Sequence, residues 1–173
     1  MNVREHRHPA GDVEGQIPAL RRYARGLAGP DQVATADDMV AQVIARALRE
    51  DQRPQTGAPR LWLFAALTSL NRSRLRATRV TAPSPVISME PQRPPGLREA
   101  LAQTPLEGRE ALLLVVVEGF SYSQAAEILG VNRLGVATRL ARARQDLTAT
   151  LDANRSTPAR PDPRRPPYLR LVK

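Results

Sequence analysis

The chain has 173 residues, with 26 Lys and Arg against 17 Asp and Glu, a formal charge of +9 and a pI near 11.3. That balance points to a polyanionic partner, nucleic acid ahead of an anionic membrane surface. The lack of cysteine excludes disulfides and thiolate metal sites, and aromatics at 3% argue against a broad base-stacking platform. The opening stretch MNVREHRHPAGDVEG lacks the apolar core of a signal peptide. The longest aliphatic run, Leu112 to Val117, falls far short of the roughly 20 residues a membrane helix needs. A soluble, cytoplasmic chain without membrane insertion is expected.

Prolines gather at 51–60, 81–96 and 156–173 and interrupt packed structure there. Between them the apolar spacing is helical throughout, so the expected fold class is all-α. The expected organisation is a flexible N-terminus (1–14), a first helical domain (15–80), a Pro-rich linker (81–96), a second helical domain (97–153) and a basic Pro-rich tail (154–173).

In the first domain Ile17, Leu20, Tyr23, Ala24 and Leu27 form one apolar stripe, which Gly29-Pro30 ends. A second helix is expected after Thr35, with Asp37 and Asp38 in its first turn, where carboxylates suit the helix dipole. Its apolar face is Val40, Val43, Ile44, Ala47 and Leu48. A third helix starts near Pro59 and buries Leu61, Phe64, Ala65, Leu67 and Leu70, with Trp62 as plain core. Asn71, Arg72, Arg74, Arg76 and Arg79 crowd its C-terminal end, and no acid occurs between Asp51 and Glu90. Such a cluster fits phosphate contact better than a solvated helix end.

In the second domain Thr104-Pro105-Leu106-Glu107 has the form of a capping box with proline at the first helical position. The helix it opens runs through GREALLLVVVEG to about Gly119. Ser121-Tyr122-Ser123-Gln124 is a second capping box, opening a short helix that ends at Leu129-Gly130. A last helix starts near Asn132, whose side chain can cap it, and runs to about Leu151. A short helix, a turn containing Gly and a longer basic helix form a helix-turn-helix pattern, with a winged-helix-like domain as the expectation. Ala125 and Ala126 permit close approach, and Ile128, Leu129, Val131, Val136 and Leu140 supply the inner faces. Arg133, Leu134, Ala137, Thr138 and Arg142 are left on or near the outer face, where arginine can grip a guanine edge or a phosphate. Spacing alone leaves open whether this face reads DNA or is a solvated basic surface. Gly135 inside the helix costs roughly 1 kcal/mol relative to Ala.

The stretch GREALLLVVVEGFSYSQAAEILGVNRLGVATRLARARQDL, with IPALRRYARGLAG, ADDMVAQVIARALRE and PRLWLFAALTSLNRSRLRATR ahead of it, resembles the extracytoplasmic-function (ECF) class of sigma-70-type sigma factors. The resemblance covers about residues 15 to 80 and 97 to 152. It implies that Asp37, Asp38, Met39, Val40 and Gln42 dock on the β′ clamp helices of core RNA polymerase, with the second domain meeting the β flap. It implies −10 promoter contacts from Asn71, Arg72, Arg74, Arg76 and Arg79. It implies −35 contacts from Asn132, Arg133, Leu134, Ala137, Thr138, Arg139 and Arg142. It also implies an anti-sigma partner and a monomer.

The sequence departs from the family pattern in three places. Ala41-Gln42 replace the usual Gln-Glu, which bears on polymerase affinity. Thr68-Ser69 and Ser73 replace an Arg-Asn pair and a later Asp, which bears on the −10 contacts. Leu134-Gly135 replace a Gly-Thr pair, which bears on the −35 preference. The leading expectation is therefore a sigma subunit that brings polymerase to its promoters. The alternative is a sigma mimic that sequesters an anti-sigma factor without reading promoters, and a stand-alone helix-turn-helix repressor leaves the first block unexplained. No catalytic constellation, cofactor site or metal site is expected: the two histidines, His6 and His8, have no further ligands nearby.

Overall fold

The computed structural model describes residues 13–49, 59–81 and 96–156, the side chains of 79–81 and 154–156 excepted. Most of the N-terminal segment, the 51–58 loop, the bulk of the linker, most of the tail, and His6 and His8 lie outside the described residues. Among the described residues seven α-helices follow in order: α1 Ile17–Ala28, α2 Val33–Ala47, α3 Pro59–Thr81, α4 Leu97–Gln103, α5 Leu106–Leu112, α6 Tyr122–Leu129 and α7 Arg133–Ser156. A π-helical segment, Leu113–Val117, continues α5. Among the described residues there is no strand, as an all-α fold requires, and the helix-turn-helix is built of helices alone.

Helices α1 to α3 pack as the first block. The α1 stripe is buried at Leu20, Tyr23, Ala24 and Leu27, with Ile17 at its edge. The second helix begins two residues before Thr35, not after it. Its N-cap is Gln32, which makes no side-chain cap, and no acid sits in the first turn. Nothing between Gln32 and Thr35 resists helix, so the helix extends back to the 29–32 turn. Asp37 then answers to α1 and not to a dipole, lying 3.3 Å from Arg25 and 3.8 Å from Arg21. Leu48 is the C-cap and is 55% exposed, so the predicted apolar face ends at Ala47. In α3, Leu63, Phe64, Leu67 and Thr68 are buried, while Leu61, Trp62, Ala65 and Leu70 pack at the margin of the core. Thr68 donates its hydroxyl to the Phe64 carbonyl (2.8 Å) and meets the Tyr23 hydroxyl at 2.8 Å. With the threonine hydrogen committed to Phe64, tyrosine is the donor between them. Burial pushes the Tyr23 phenol well above its ordinary pKa.

The second block departs from expectation at its start. Thr104 does not cap: its hydroxyl donates back to the Ala100 carbonyl (3.2 Å), Pro105 occupies the N-cap, and α5 opens at Leu106 without a side-chain cap. A proline ring presets the extended backbone at that position, so the helix starts one residue later than the box predicts. The capping box at Ser121 is present in full, with Gln124 N–H donating to Ser121 Oγ (3.2 Å) and Ser121 N–H to Gln124 Oε1 (3.0 Å). Asn132 caps α7, accepting from Gly135 N–H at 2.6 Å. Gly130 turns the corner in the left-handed region, φ 67°. The last helix runs on to Ser156, past the expected Leu151.

The two blocks share one apolar core. Buried Leu20, Tyr23 and Phe64 of the first belong to the same cluster as Leu113, Phe120 and Leu129 of the second. Phe120 stands edge-on to Phe64, with centroids 4.9 Å apart, and the Arg60 guanidinium lies 4.5 Å over the Phe120 ring. Among the described residues no helix is long and apolar enough to cross a membrane.

Candidate nucleic-acid interface

The helix-turn-helix is α6, the corner at Gly130–Asn132, and α7. Ala125, Ala126, Ile128, Leu129, Val136 and Leu140 are buried and hold the two helices together, with Val131 at the margin. The chain enters the corner through Gly119 at φ 72°, where Phe120 N–H donates to the Leu114 carbonyl at 2.9 Å. Local caps thus fix both helices, and the burial of Val136 and Leu140 fixes which face of α7 turns outward.

That face carries Asn132, Arg133, Leu134, Thr138 and Arg142, all exposed, with Ala137 half-buried beside them. Leu134, at the tip of the helix, is 74% exposed. Arg139 does not share the face. One turn from buried Val136 and Ala143, it points into a cleft between the blocks, 3.4 Å from Glu107, with Nη1 buried and without a hydrogen-bond partner. Arg144, outside the predicted set, is exposed.

Part of the α3 set is held inward. Asn71 is fully buried, and neither its amide oxygen nor its nitrogen has a hydrogen-bond partner. Arg72 forks onto Glu110, Nε to Oε1 at 2.9 Å and Nη2 to Oε2 at 2.6 Å, and gives Nη1 to the Leu129 carbonyl at 3.3 Å. The bond to Glu110 holds this guanidinium above its ordinary pKa against the opposing effect of burial. Arg74 donates to Gln32 Oε1 at 3.1 Å. Arg76 is exposed and donates to Ser73 Oγ at 3.0 Å. The Arg79 side chain lies outside the described residues. Arg72, Arg76 and Arg139 line one cleft of about 280 Å³ with Glu107 and Glu110.

Within the predicted polymerase-docking set, Asp38 and Gln42 are exposed, together with Ala34, Ala41 and Ala45 on the same face of α2. Asp37 is half-buried on its arginines. Met39 and Val40 are core residues, 2% and 3% exposed, and shape that face only from beneath. Their spacing three and four residues from Ala36 and Val43 places them on the apolar side, and helix geometry overrides the linear motif.

Sequence reading missed the acids and arginines between the blocks. Glu118 is buried and accepts a fork from Arg22, Nε to Oε1 at 2.8 Å and Nη2 to Oε2 at 2.7 Å, which raises the arginine pKa. The Glu118 carbonyl accepts from Arg60. Arg109 threads its guanidinium among carbonyls, donating to Leu27 at 3.0 Å, Ala102 at 2.6 Å and Thr104 at 2.9 Å, and burial lowers its pKa. The available signal was the apolar run from Ala111 to Val117 with one acid at each end, Glu110 and Glu118. Acids that bracket an apolar run are candidates for burial, and a buried carboxylate must be paired. No group of His, Asp or Glu among the described residues is placed to hold a metal ion.

Comparison with known proteins agrees with this geometry. Residues 13–68 match the family model for the Sigma2 domain of PhyR, and residues 96–147 match that for Sigma-70, region 4. The ECF RNA polymerase sigma factor EcfG of Rhodopseudomonas palustris (strain TIE-1) is 34% identical over 153 residues, covering 81% of this chain and 83% of that protein. The sigma factor RpoE from Bartonella quintana, solved in complex with the anti-sigma factor NepR, superposes with a TM-score of 0.67 at 25% identity, over 82% of this chain and 95% of that one. CnrH, solved with the cytosolic domain of CnrY, gives 0.56 at 27% identity, over 82% of this chain and 85% of that one. The chain belongs to the ECF family of RNA polymerase sigma factors, and its function is that of a sigma factor.

Proposed function

We propose that this sigma factor binds core RNA polymerase through the exposed face of α2 around Asp38 and Gln42, with the second block meeting the β flap. It reads the −35 element with the outer face of α7, and the −10 element with the C-terminal part of α3. The observation that carries this reading is the α7 face: a fully capped helix-turn-helix presents Arg133, Leu134, Thr138 and Arg142 to solvent. Base and phosphate contacts need such donors on a rigid, outward helix. The chain supplies recognition and no chemistry: it has no catalytic residue, cofactor or metal of its own, and polymerase makes the bond. It works as a monomer in the bacterial cytoplasm, where polymerase and promoters are. An anti-sigma protein is proposed as a further partner, because the RpoE relative is solved with one bound.

The test is run-off transcription with bacterial core polymerase over a promoter pool, with wild type and the Arg133→Ala/Arg142→Ala variant. Promoter-specific transcripts that need the chain and vanish with the variant are the expected result. A second reading, sequestration of an anti-sigma factor without promoter reading, is favoured by the match of residues 13–68 to the Sigma2 domain of PhyR. Capture of an anti-sigma protein with no core binding and no transcript would establish it instead. The exposed α7 arginines favour the first reading, since a mimic has no use for phosphate contacts.

A further inference from the structure

A single exposed leucine on a protein surface needs no explanation; the setting of Leu134 gives it one. Leu134 is the most exposed of the large apolar side chains among the described residues, so the fold makes little use of it. It is the second residue of α7, the end at which a helix-turn-helix brings its second helix to base edges. The residues four and eight further on, Thr138 and Arg142, are exposed as well, and that spacing puts all three on one stripe of the helix. Ala137, half-buried, and Ala141, exposed, flank the stripe, and their short side chains let a duplex come close. The capping box at Ser121 and the Asn132 cap on Gly135 N–H hold the stripe in one orientation.

The chemistry of the stripe is mixed. Arg133, Thr138 and Arg142 can donate hydrogen bonds to phosphates or to acceptors on base edges. Leu134 can neither donate nor accept. The groups that base pairs present in the major groove are donors and acceptors, with one apolar exception, the C5 methyl of thymine. A leucine laid on a donor or acceptor takes water from it and returns no hydrogen bond, which costs free energy. Laid on a methyl, it removes apolar surface of both groups from water. One side chain thus favours one base and penalises the other edges, and a difference of that kind is what specificity consists of.

We propose that Leu134 is a specificity-determining residue that packs on the C5 methyl of one thymine in the −35 element. This contact rests on the promoter-reading function proposed above and names a base that the element must carry. Arg133 and Arg142 supply charge that holds the duplex whatever its sequence. Leu134 adds no charge and acts on sequence alone. A promoter read by this chain therefore has an A·T pair where Leu134 reaches, with the thymine methyl toward α7.

The test uses the full chain with core polymerase and a fluorescent promoter duplex recovered from the run-off experiment. Each −35 thymine, on either strand, is replaced in turn by deoxyuridine, which removes the methyl and keeps the base pair. With wild type, one replacement is expected to lower affinity about fourfold, the worth of burying one methyl-sized group. Leu134→Ala is expected to bind the unmodified duplex at least as weakly as wild type binds that uracil duplex, and to be indifferent to the replacement. Its melting temperature should match that of wild type, because the side chain lies in solvent. Leu134→Met, apolar and close in volume, is expected to restore the sensitivity to the methyl.

Wild-type binding that is indifferent to every replacement overturns the thymine contact. A sensitivity that Leu134→Ala retains in full overturns it too, since the methyl then meets another side chain. A different pattern defeats the proposed function itself: no promoter bound by wild type with core polymerase, or an Arg133→Ala/Arg142→Ala variant that binds as well as wild type. In that case the thymine contact falls with it.

Discussion

The two arginine-rich helix regions of this chain, the end of α3 and the face of α7, have similar sequences and opposite fates. On α7, burial of Val136, Leu140 and Ala143 turns Arg133, Thr138 and Arg142 to solvent. On α3, Asn71 and Arg72 are drawn inward by a second block that offers a buried carboxylate and a helix C-terminus. A run of arginines specifies neither outcome. What decides is whether the helix continues past its own packing partner into solvent or runs under a neighbour carrying an acid.

The strongest way to break this contrast is to remove what presses the second block on α3. Phe120 is buried, edge-on to Phe64 and beneath Arg60, so Phe120→Ala is expected to lower stability by about 3–4 kcal/mol in urea unfolding. A loss under 1 kcal/mol would show that the shared core contributes little. Next comes Glu110→Ala, which strands Arg72 at the interface. It should cost about 2–3 kcal/mol, below the full penalty for a buried pair because the arginine keeps some access to water. Glu107→Ala, whose side chain is 71% exposed, should stay within about 0.5 kcal/mol. Equal effects for the two glutamates would erase the distinction between a buried fork and a rim contact.

The α7 side is sharpened by a pair. Arg142→Ala should leave unfolding unchanged and weaken −35 binding by roughly 1–2 kcal/mol, measured by anisotropy on a −35 fragment. Arg139→Ala should change DNA affinity less than Arg142→Ala does, because its side chain faces the cleft. Ser121→Ala removes the hydroxyl acceptor of the capping box, leaving the Ser121 N–H bond to Gln124 Oε1 in place, and should cost about 1 kcal/mol of stability. Smallest is Gly135→Ala. Its helix-propensity gain is opposed by a Cβ placed 3.1 Å from Asn132 Oδ1, the cap acceptor, and the net change in melting temperature should be within that of a 0.5 kcal/mol shift.

Much of the fold was legible because its signals are local. Apolar stripes at helical spacing located α1 and α3, and the Ser121 box and Asn132 cap located the corner to the residue. The misreadings came where two local signals competed. Thr35 and Thr104 both look like caps, yet nothing stops α2 from starting at Val33, and Pro105 takes the cap position from Thr104. The Asp-Met-Val motif placed five residues on a docking surface, but helix geometry buries Met39 and Val40 and exposes Asp38 and Gln42. Thr68, an apparent departure at a contact site, is explained by its bonds to Tyr23 and Phe64. Least legible were the partners of the buried acids, because Glu118 meets Arg22 across 96 residues and Glu110 meets Arg72 across 38, and no local pattern encodes a match over that distance.

The π-helical segment at Leu113–Val117 sets the phase of everything after it. Glu118 N–H reaches back five residues to the Leu113 carbonyl, at 2.9 Å, instead of the usual four. One residue of an α-helix is about 100° of rotation. The wide turn absorbs one residue, so Glu118 stays aimed at Arg22 and Phe120 at Phe64; inserting a further residue here would swing both about that far around the axis, away from those partners. The corner, whose caps lie wholly within 121–135, would stay intact. An insertion of one codon in this apolar run therefore acts as a change of gearing between two working halves, more disruptive to their engagement than most substitutions in either.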